Sequence, residues 1–238
     1  MKTSLRLIAF ILMVVTLLSG GALAQQTRTD YSGAYTLAGK NPDGSNYTGS
    51  MTVTPFGDGY RVTAVFGNET WRGIANDIGD YLAVAFLDGT DPVISIYKVS
   101  GNNTLEGFWQ SAANAKEGSE IATLAARRFS LVPSTPTSAA RYDYSGVYNV
   151  AGKNPDGSSY TGSLSLTPFG DGYKATFVSG NETWNGVASD FAGYLAVSFN
   201  AGNVPSVNIY ELQRNGSLVG YWQDFDSQKE GQETATKR

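Results

Sequence analysis

The sequence predicts an all-β protein: two tandem eight-stranded antiparallel up-and-down barrels joined by a Pro/Ser/Thr linker. Three observations carry this expectation. Residues 31–123 return at 144–236 at a constant offset of 113 with no gap, and 53 of those 93 positions are identical. Turn signals recur about every ten to twelve residues within each copy, the spacing of a sandwich or barrel. Between the turns, apolar and polar residues alternate with the period of a strand that buries one face. A gapless repeat of this length is a duplicated domain, because solenoid units repeat about every 20–50 residues.

The 238-residue chain opens with a targeting pattern. Lys2 and Arg6 precede an apolar run from Leu7 to Leu18, and small residues lead to Ala22-Leu23-Ala24. A charged start, an apolar middle and an A-x-A site describe a secretory signal peptide over 1–24, cut after Ala24. The run falls short of the about 20 apolar residues of a comfortable membrane span. Losing Lys2 and Arg6 takes the formal net charge from −4 to −6. An acidic chain of this kind is not expected to bind nucleic acid or an anionic membrane surface.

The chain contains no Cys and no His. Disulfides, thiolate nucleophiles, Cys-type zinc sites and Ser-His-Asp chemistry are thereby excluded, and no cofactor is expected. An exported chain without Cys suggests a bacterial secreted or periplasmic protein.

The first repeat is placed at 30–129, the linker at 130–142 and the second repeat at 143–238. Ser, Pro and Thr dominate the linker, as in extended connectors. In the first copy, strands are expected at 34–40, 47–54, 60–66, 69–75, 81–87, 93–99, 104–110 and 119–128, with 111–118 as a loop. Alternation puts Tyr35 and Leu37 on the inner face of the first strand. Tyr47, Gly49, Met51 and Val53 follow on the second, then Tyr60, Val62, Ala64 and Phe66 on the third. Trp71, Gly73 and Ala75 continue the set on the fourth strand, where Ile74 breaks the pattern. Leu82, Val84 and Phe86, then Ile94 and Ile96, then Leu105, Gly107 and Trp109 complete it.

Hairpin-length connections pair neighbours antiparallel, and an even meander removes its edges by closing. A β-sandwich is the alternative. The outward Thr, Ser, Arg, Lys and Asn argue against a lipid-facing barrel. The second copy has no counterpart of Ala126–Phe129, so its barrel is expected to close less well.

Four features bear on function. Asn41-Pro42-Asp43-Gly44-Ser45, repeated at 154–158, has the residues of a type I turn; a calcium loop would need further acids. Glu69 and Glu182 stand two residues before Trp71 and Trp184. Such a pairing admits a carboxylate-dependent hydrolase acting on glycans, although no base, nucleophile and orienting group assemble around it, and no catalytic residue is assigned.

The inward aromatics are the candidate ligand-binding residues: Tyr35, Tyr47, Tyr60, Trp71 and Trp109, with their repeats Tyr148, Tyr160, Tyr173, Trp184 and Trp222. With nearby inward glycines they either fill each barrel or line a cavity for a small, partly apolar ligand. Finally, Tyr81 and Tyr97, with Tyr194 and Tyr210, are expected on an outer aromatic patch. Such a patch suits a protein partner or contact between the barrels.

The string YSGxYxxxGxNPDGSxYxGS, followed by TPxGDGY, LAVxF and a G-aromatic-W step, resembles a family of small exported bacterial repeat proteins. The resemblance runs through both copies, 31–123 and 144–236. Some members carry the label fibronectin-binding protein, which implies an adhesin role with an extracellular protein partner. Gly33-x-Tyr35 is similar in placement to the Gly-x-Trp of lipocalins and avidins, which implies their barrel architecture. The expectation is a secreted binding protein that takes a small ligand or a protein partner in or on each repeat.

Overall fold

The computed structural model describes residues 29–101, 103–125 and 142–238. The expected signal peptide and almost all of the linker lie outside these residues, as does Ala126–Phe129. The first repeat forms β1 (Gly33–Lys40), β2 (Asn46–Phe56), β3 (Gly59–Phe66), β4 (Glu69–Ile78), β5 (Tyr81–Asp88), β6 (Asp91–Val99), β7 (Thr104–Ser111) and β8 (Asn114–Leu124). The second forms β9 (Gly146–Lys153), β10 (Ser159–Phe169), β11 (Gly172–Ser179), β12 (Glu182–Phe191), β13 (Tyr194–Asn200), β14 (Pro205–Leu212), β15 (Leu218–Asp224) and β16 (Gly231–Lys237). Each set is a closed antiparallel barrel in sequence order.

Closure is made by the first and last strands, through Tyr35↔Leu124 to Lys40↔Ser119 in barrel 1. In barrel 2 the same seam runs from Gln232↔Lys153 to Lys237↔Tyr148, and the Arg238 N–H adds a bond to the Val147 carbonyl. The expected weaker closure of the second barrel is not found, because the seam needs nothing beyond Lys237. The expected loop at 111–118 is also corrected. Ser111 pairs with Asn114 across a tight turn, and β8 starts at Asn114. Ala, Asn, Lys and Gly are weak strand formers, so pairing with β7 places this segment where propensity does not.

Each barrel is closed at one end by tyrosines. The Tyr35 hydroxyl donates to the Tyr31 carbonyl (2.8 Å), the Tyr60 hydroxyl donates to the Thr29 carbonyl (3.2 Å), and Tyr31 meets Tyr60 edge-on. Tyr144, Tyr148 and Tyr173 repeat this plug. The opposite end carries the β1–β2, β3–β4, β5–β6 and β7–β8 turns.

A third hydrophobic cluster lies between the barrels. Ile74, Ala83, Ala85, Ile94 and Ile96 of β4–β6 pack against Val187, Phe191, Ala196, Val207 and Ile209 of β12–β14. This seam corrects two assignments. Ile94 and Ile96 point out of barrel 1 into the seam, whereas Tyr97 and Tyr210 point inward and are fully buried. Strands β6 and β14 are buried on both faces, so alternation held no cue to which face is the interior.

The seam is reciprocal, as an isologous interface is. The Asp58 N–H donates to the Gln228 carbonyl (2.9 Å) and the Asp171 N–H to the Ala115 carbonyl (2.8 Å), the same pair with the repeats exchanged. Gln110 Nε2 donates to the Phe169 carbonyl, and Gln223 Nε2 donates to the Phe56 carbonyl. Asn200 meets Thr90 where the two turn-bearing ends adjoin, and Tyr81 meets Phe191 where the two plugged ends adjoin. Contacts at all four corners mean that the barrels' strands cross instead of running alongside.

If the seam unites the chain, Ile96→Asp should cost about 3–5 kcal/mol, the range for an uncompensated charge inside a protein. Urea unfolding followed by circular dichroism should then show a lowered midpoint. An unchanged midpoint would mean that the seam contributes nothing to stability.

Candidate functional site: two aromatic cavities with a buried carboxyl

Each barrel keeps a cavity at its turn-bearing end. In barrel 1 it measures about 200 Å³, and its lining includes Leu37, Tyr47, Phe66, Trp71, Phe86, Ser95, Tyr97, Trp109 and Glu120. In barrel 2 it measures about 160 Å³ and is lined by Asn154, Tyr160, Phe177, Ser179, Glu182, Trp184, Asn208, Trp222 and Glu233.

The inner glycines explain how such large rings fit. Gly39 sits opposite Tyr47 and Trp109 sits opposite Gly118 on neighbouring strands. A Cβ on Gly39 would lie 2.1 Å from the Tyr47 ring, and one on Gly118 would lie 2.4 Å from the Trp109 indole. The rings therefore lie flat on glycine backbone, as aromatics do across from strand glycines. Gly152 with Tyr160 and Gly231 with Trp222 repeat the arrangement. Most of each interior is filled, and a small space remains above the filled part.

The rings form a chain around that space. Trp109 meets Tyr47 at 6.4 Å between centroids, Tyr47 meets Phe66 at 5.6 Å, Phe66 meets Trp71 at 5.2 Å and Trp71 meets Phe86 at 6.1 Å. Barrel 2 builds its wall differently. Phe66 corresponds to Ser179 and Ala64 to Phe177, so the ring moves one inward position deeper. Phe177 is buried there and meets Trp184 at 5.5 Å and Phe199 at 6.2 Å.

Beside this ring chain lies a carboxyl group that alternation alone did not single out. Glu120 on β8 is 6% exposed, and Glu233 on β16 is 4% exposed. The Tyr47 hydroxyl donates to Glu120 Oε2 (2.7 Å) and the Tyr97 hydroxyl to Oε1 in a short bond. Glu233 accepts from Tyr160 (2.6 Å) and from Tyr210 in a short bond. It also accepts from Asn208 Nδ2 (3.1 Å). Barrel 1 has Ser95 in place of Asn208. Burial pushes both carboxyl groups above the usual carboxylate range, and the tyrosine hydrogen bonds pull against that rise. Tyr97 and Tyr210 are pushed well above the ordinary phenol range by burial and then by the neighbouring carboxylate.

The expected site residues divide between the two ends of each barrel. Tyr47, Trp71 and Trp109 line cavity 1, and Tyr160, Trp184 and Trp222 line cavity 2. Tyr35, Tyr60, Tyr148 and Tyr173 belong to the plugs. The outer patch holds only in part: Tyr97 and Tyr210 point inward and hold the buried carboxyls, whereas Tyr81 and Tyr194 lie half-buried at the expected contact between the barrels, around Phe191. Glu69 is exposed and absent from the lining of cavity 1, whereas Glu182 reaches the mouth of cavity 2.

The 41–45 segment is a turn. The Gly44 N–H donates to the Asn41 carbonyl (2.8 Å) with Gly44 at φ +88°, and Asp43 Oδ1 accepts from the Ser45 N–H and hydroxyl. Those bonds hold the Asp43 carboxyl below its ordinary range. Among the described residues no cluster of His, Cys, Asp and Glu is arranged to hold a metal ion.

Glu120 and Glu233 had a signal in the sequence. Lys116-Glu117-Gly118-x-Glu120-x-Ala122-Thr123 returns as Lys229-Glu230-Gly231-x-Glu233-x-Ala235-Thr236. Each glutamate shares a face with a glycine and an alanine, a small-residue face inside a barrel.

Fold and cavities together define the class: a two-barrel protein, each barrel with a small aromatic cavity, an architecture consistent with a binding protein. No protein-family model and no curated protein matches the chain. Among solved structures it is similar to a protein of unknown function from the DUF3598 family, from Nostoc punctiforme. Identity is 10%, the TM-score is 0.26, and the match covers 87% of this chain and 96% of that one.

Because Glu120 holds its proton more tightly folded than unfolded, its contribution to stability is complete below the ordinary carboxyl range. It is lost as pH rises through the folded value. Glu120→Gln should therefore raise the thermal midpoint at pH 8 and leave it near wild type at pH 4. Scanning calorimetry across that range checks this, and a gain confined to acid would overturn the assignment.

Proposed function

We propose that the chain is an exported, non-enzymatic binding protein whose barrels each hold a small, partly apolar ligand against the aromatic wall beside the buried glutamate. The observation that carries the reading is the placement of tryptophan. The chain has four tryptophans, and all four line the two cavities. Wide flat side chains around a space with one or two converging polar groups are what small-molecule sites are made of. Export rests on the N-terminal pattern, and a secreted or periplasmic location follows from it.

The adhesin alternative, with an extracellular protein partner, drew on the outer tyrosines. That support is weakened because two of them are interior and two border the seam. Strand addition, a common mode of peptide capture, needs an edge that a closed barrel lacks. The glycan-hydrolase alternative draws on cavity 2, where Glu182 and Glu233 both occur. Glu233 is held there by three donors, which suits a fixed anchor better than a group that shuttles protons.

Native mass spectrometry of the mature chain from Gln25, purified gently from its own exporting host, tests the proposal. A mass excess lost on denaturation is expected, together with a change in intrinsic tryptophan fluorescence on release. A bare-chain mass, with fluorescence indifferent to a panel of small aromatic compounds, would overturn it.

A further inference from the structure

The two cavities differ at the point that matters most for a ligand. In barrel 2 the Asn208 amide lines the cavity and donates to Glu233 Oε2 as a third hydrogen bond. In barrel 1 the same position is Ser95, whose shorter side chain lines the cavity, and Glu120 accepts from the Tyr47 and Tyr97 hydroxyls. Both glutamates line their cavities, and cavity 1 has Ser95 where cavity 2 has the amide donor of Asn208.

No Lys or Arg lines cavity 1. An ionised carboxylate in an apolar enclosure is costly until a cation or further donors meet it. The aromatic side of the cavity is the chain of Tyr47, Phe66, Trp71 and Phe86, with Trp109 at its end. Aromatic faces carry partial negative charge and attract cations. At about 200 Å³ the space exceeds the roughly 150 Å³ cavity that holds benzene, so one ring with a short substituent fits.

We infer that cavity 1 selects a small organic cation, of the arylalkylamine class, whose ammonium group donates to Glu120 in the place that Asn208 fills in barrel 2. This rests on the proposal that the barrels are ligand-binding, and it assigns the chemistry of one of them. The ammonium supplies the donor and the positive charge that barrel 1 lacks, and the ring lies among the tryptophans. The two barrels of one chain are then unequal: barrel 2 satisfies its carboxylate internally, and barrel 1 leaves the task to its ligand.

The test uses tryptophan fluorescence and calorimetric titration of the full mature chain with three probes of one shape: benzylamine, benzyl alcohol and benzoate. At neutral pH benzylamine should bind at least about tenfold more tightly than benzyl alcohol, the margin of a charge-assisted hydrogen bond, and benzoate should not bind. That preference should vanish in Glu120→Gln. It should vanish as well in Ser95→Asn, which fills the space without altering the carboxylate, so a folding defect in one variant does not decide the matter. Equal binding of benzylamine and benzyl alcohol, or a preference that survives both substitutions, would overturn the cation assignment while leaving the cavities as ligand sites. Failure of all three probes, with a bare-chain native mass, would overturn both.

Discussion

The structure depends on pairing an aromatic ring with a glycine on the next strand. An eight-stranded barrel has an interior just wide enough to be filled by side chains. Rings the size of Trp109, Trp222, Tyr47 and Tyr160 would overfill it if every inward neighbour carried a Cβ. Gly118, Gly231, Gly39 and Gly152 remove that atom where each ring must lie. The rings then pack flat against the wall instead of across the lumen. What remains at the turn-bearing end is a void, and the void is what makes the interior accessible to chemistry.

Into that interior the chain places a carboxyl group, against the usual preference of such groups for water. The cost is offset by tyrosine hydroxyls, which are the right donors for the place. Each brings its own apolar ring, so the hydrogen bond arrives without further polar surface. Tyr97 and Tyr47 reach Glu120 from β6 and β2, converging on β8. Strands distant in sequence are thereby tied through one side chain.

Strand positions were legible wherever one face of a strand is polar. On β1, β2 and β3 the alternating Thr, Ser and Arg mark the outside plainly, and the inward residues there are found inside. The signal failed where both faces are apolar. On β6 the run Val93-Ile94-Ser95-Ile96-Tyr97 is buried on both sides, and only the seam decides that isoleucine faces the other barrel while tyrosine faces in. Glu120 was hard to read for the opposite reason. The first half of its strand, 114–118, is polar enough to be read as a loop, which left Glu120 at an expected strand start, where a glutamate normally belongs to the surface. Its recurrence as Glu233 was visible, but its burial depends on donors from β2 and β6 that no local window contains. The plug tyrosines and the cavity aromatics share one face, and only the barrel's polarity, one end stoppered and the other not, separates them.

The reciprocal seam has a further meaning. Two separate copies of one repeat meeting through such a face would form a symmetric dimer, and any change in one would appear in both. Covalent linkage removes that restriction and makes association independent of concentration. A substitution now falls on one half alone. Phe108 faces the seam from β7, and its counterpart Tyr221 spends its extra hydroxyl on the Asp77 carbonyl (2.6 Å). Fusion thus lets a pair of like modules specialise while keeping the contact that first required them to be alike.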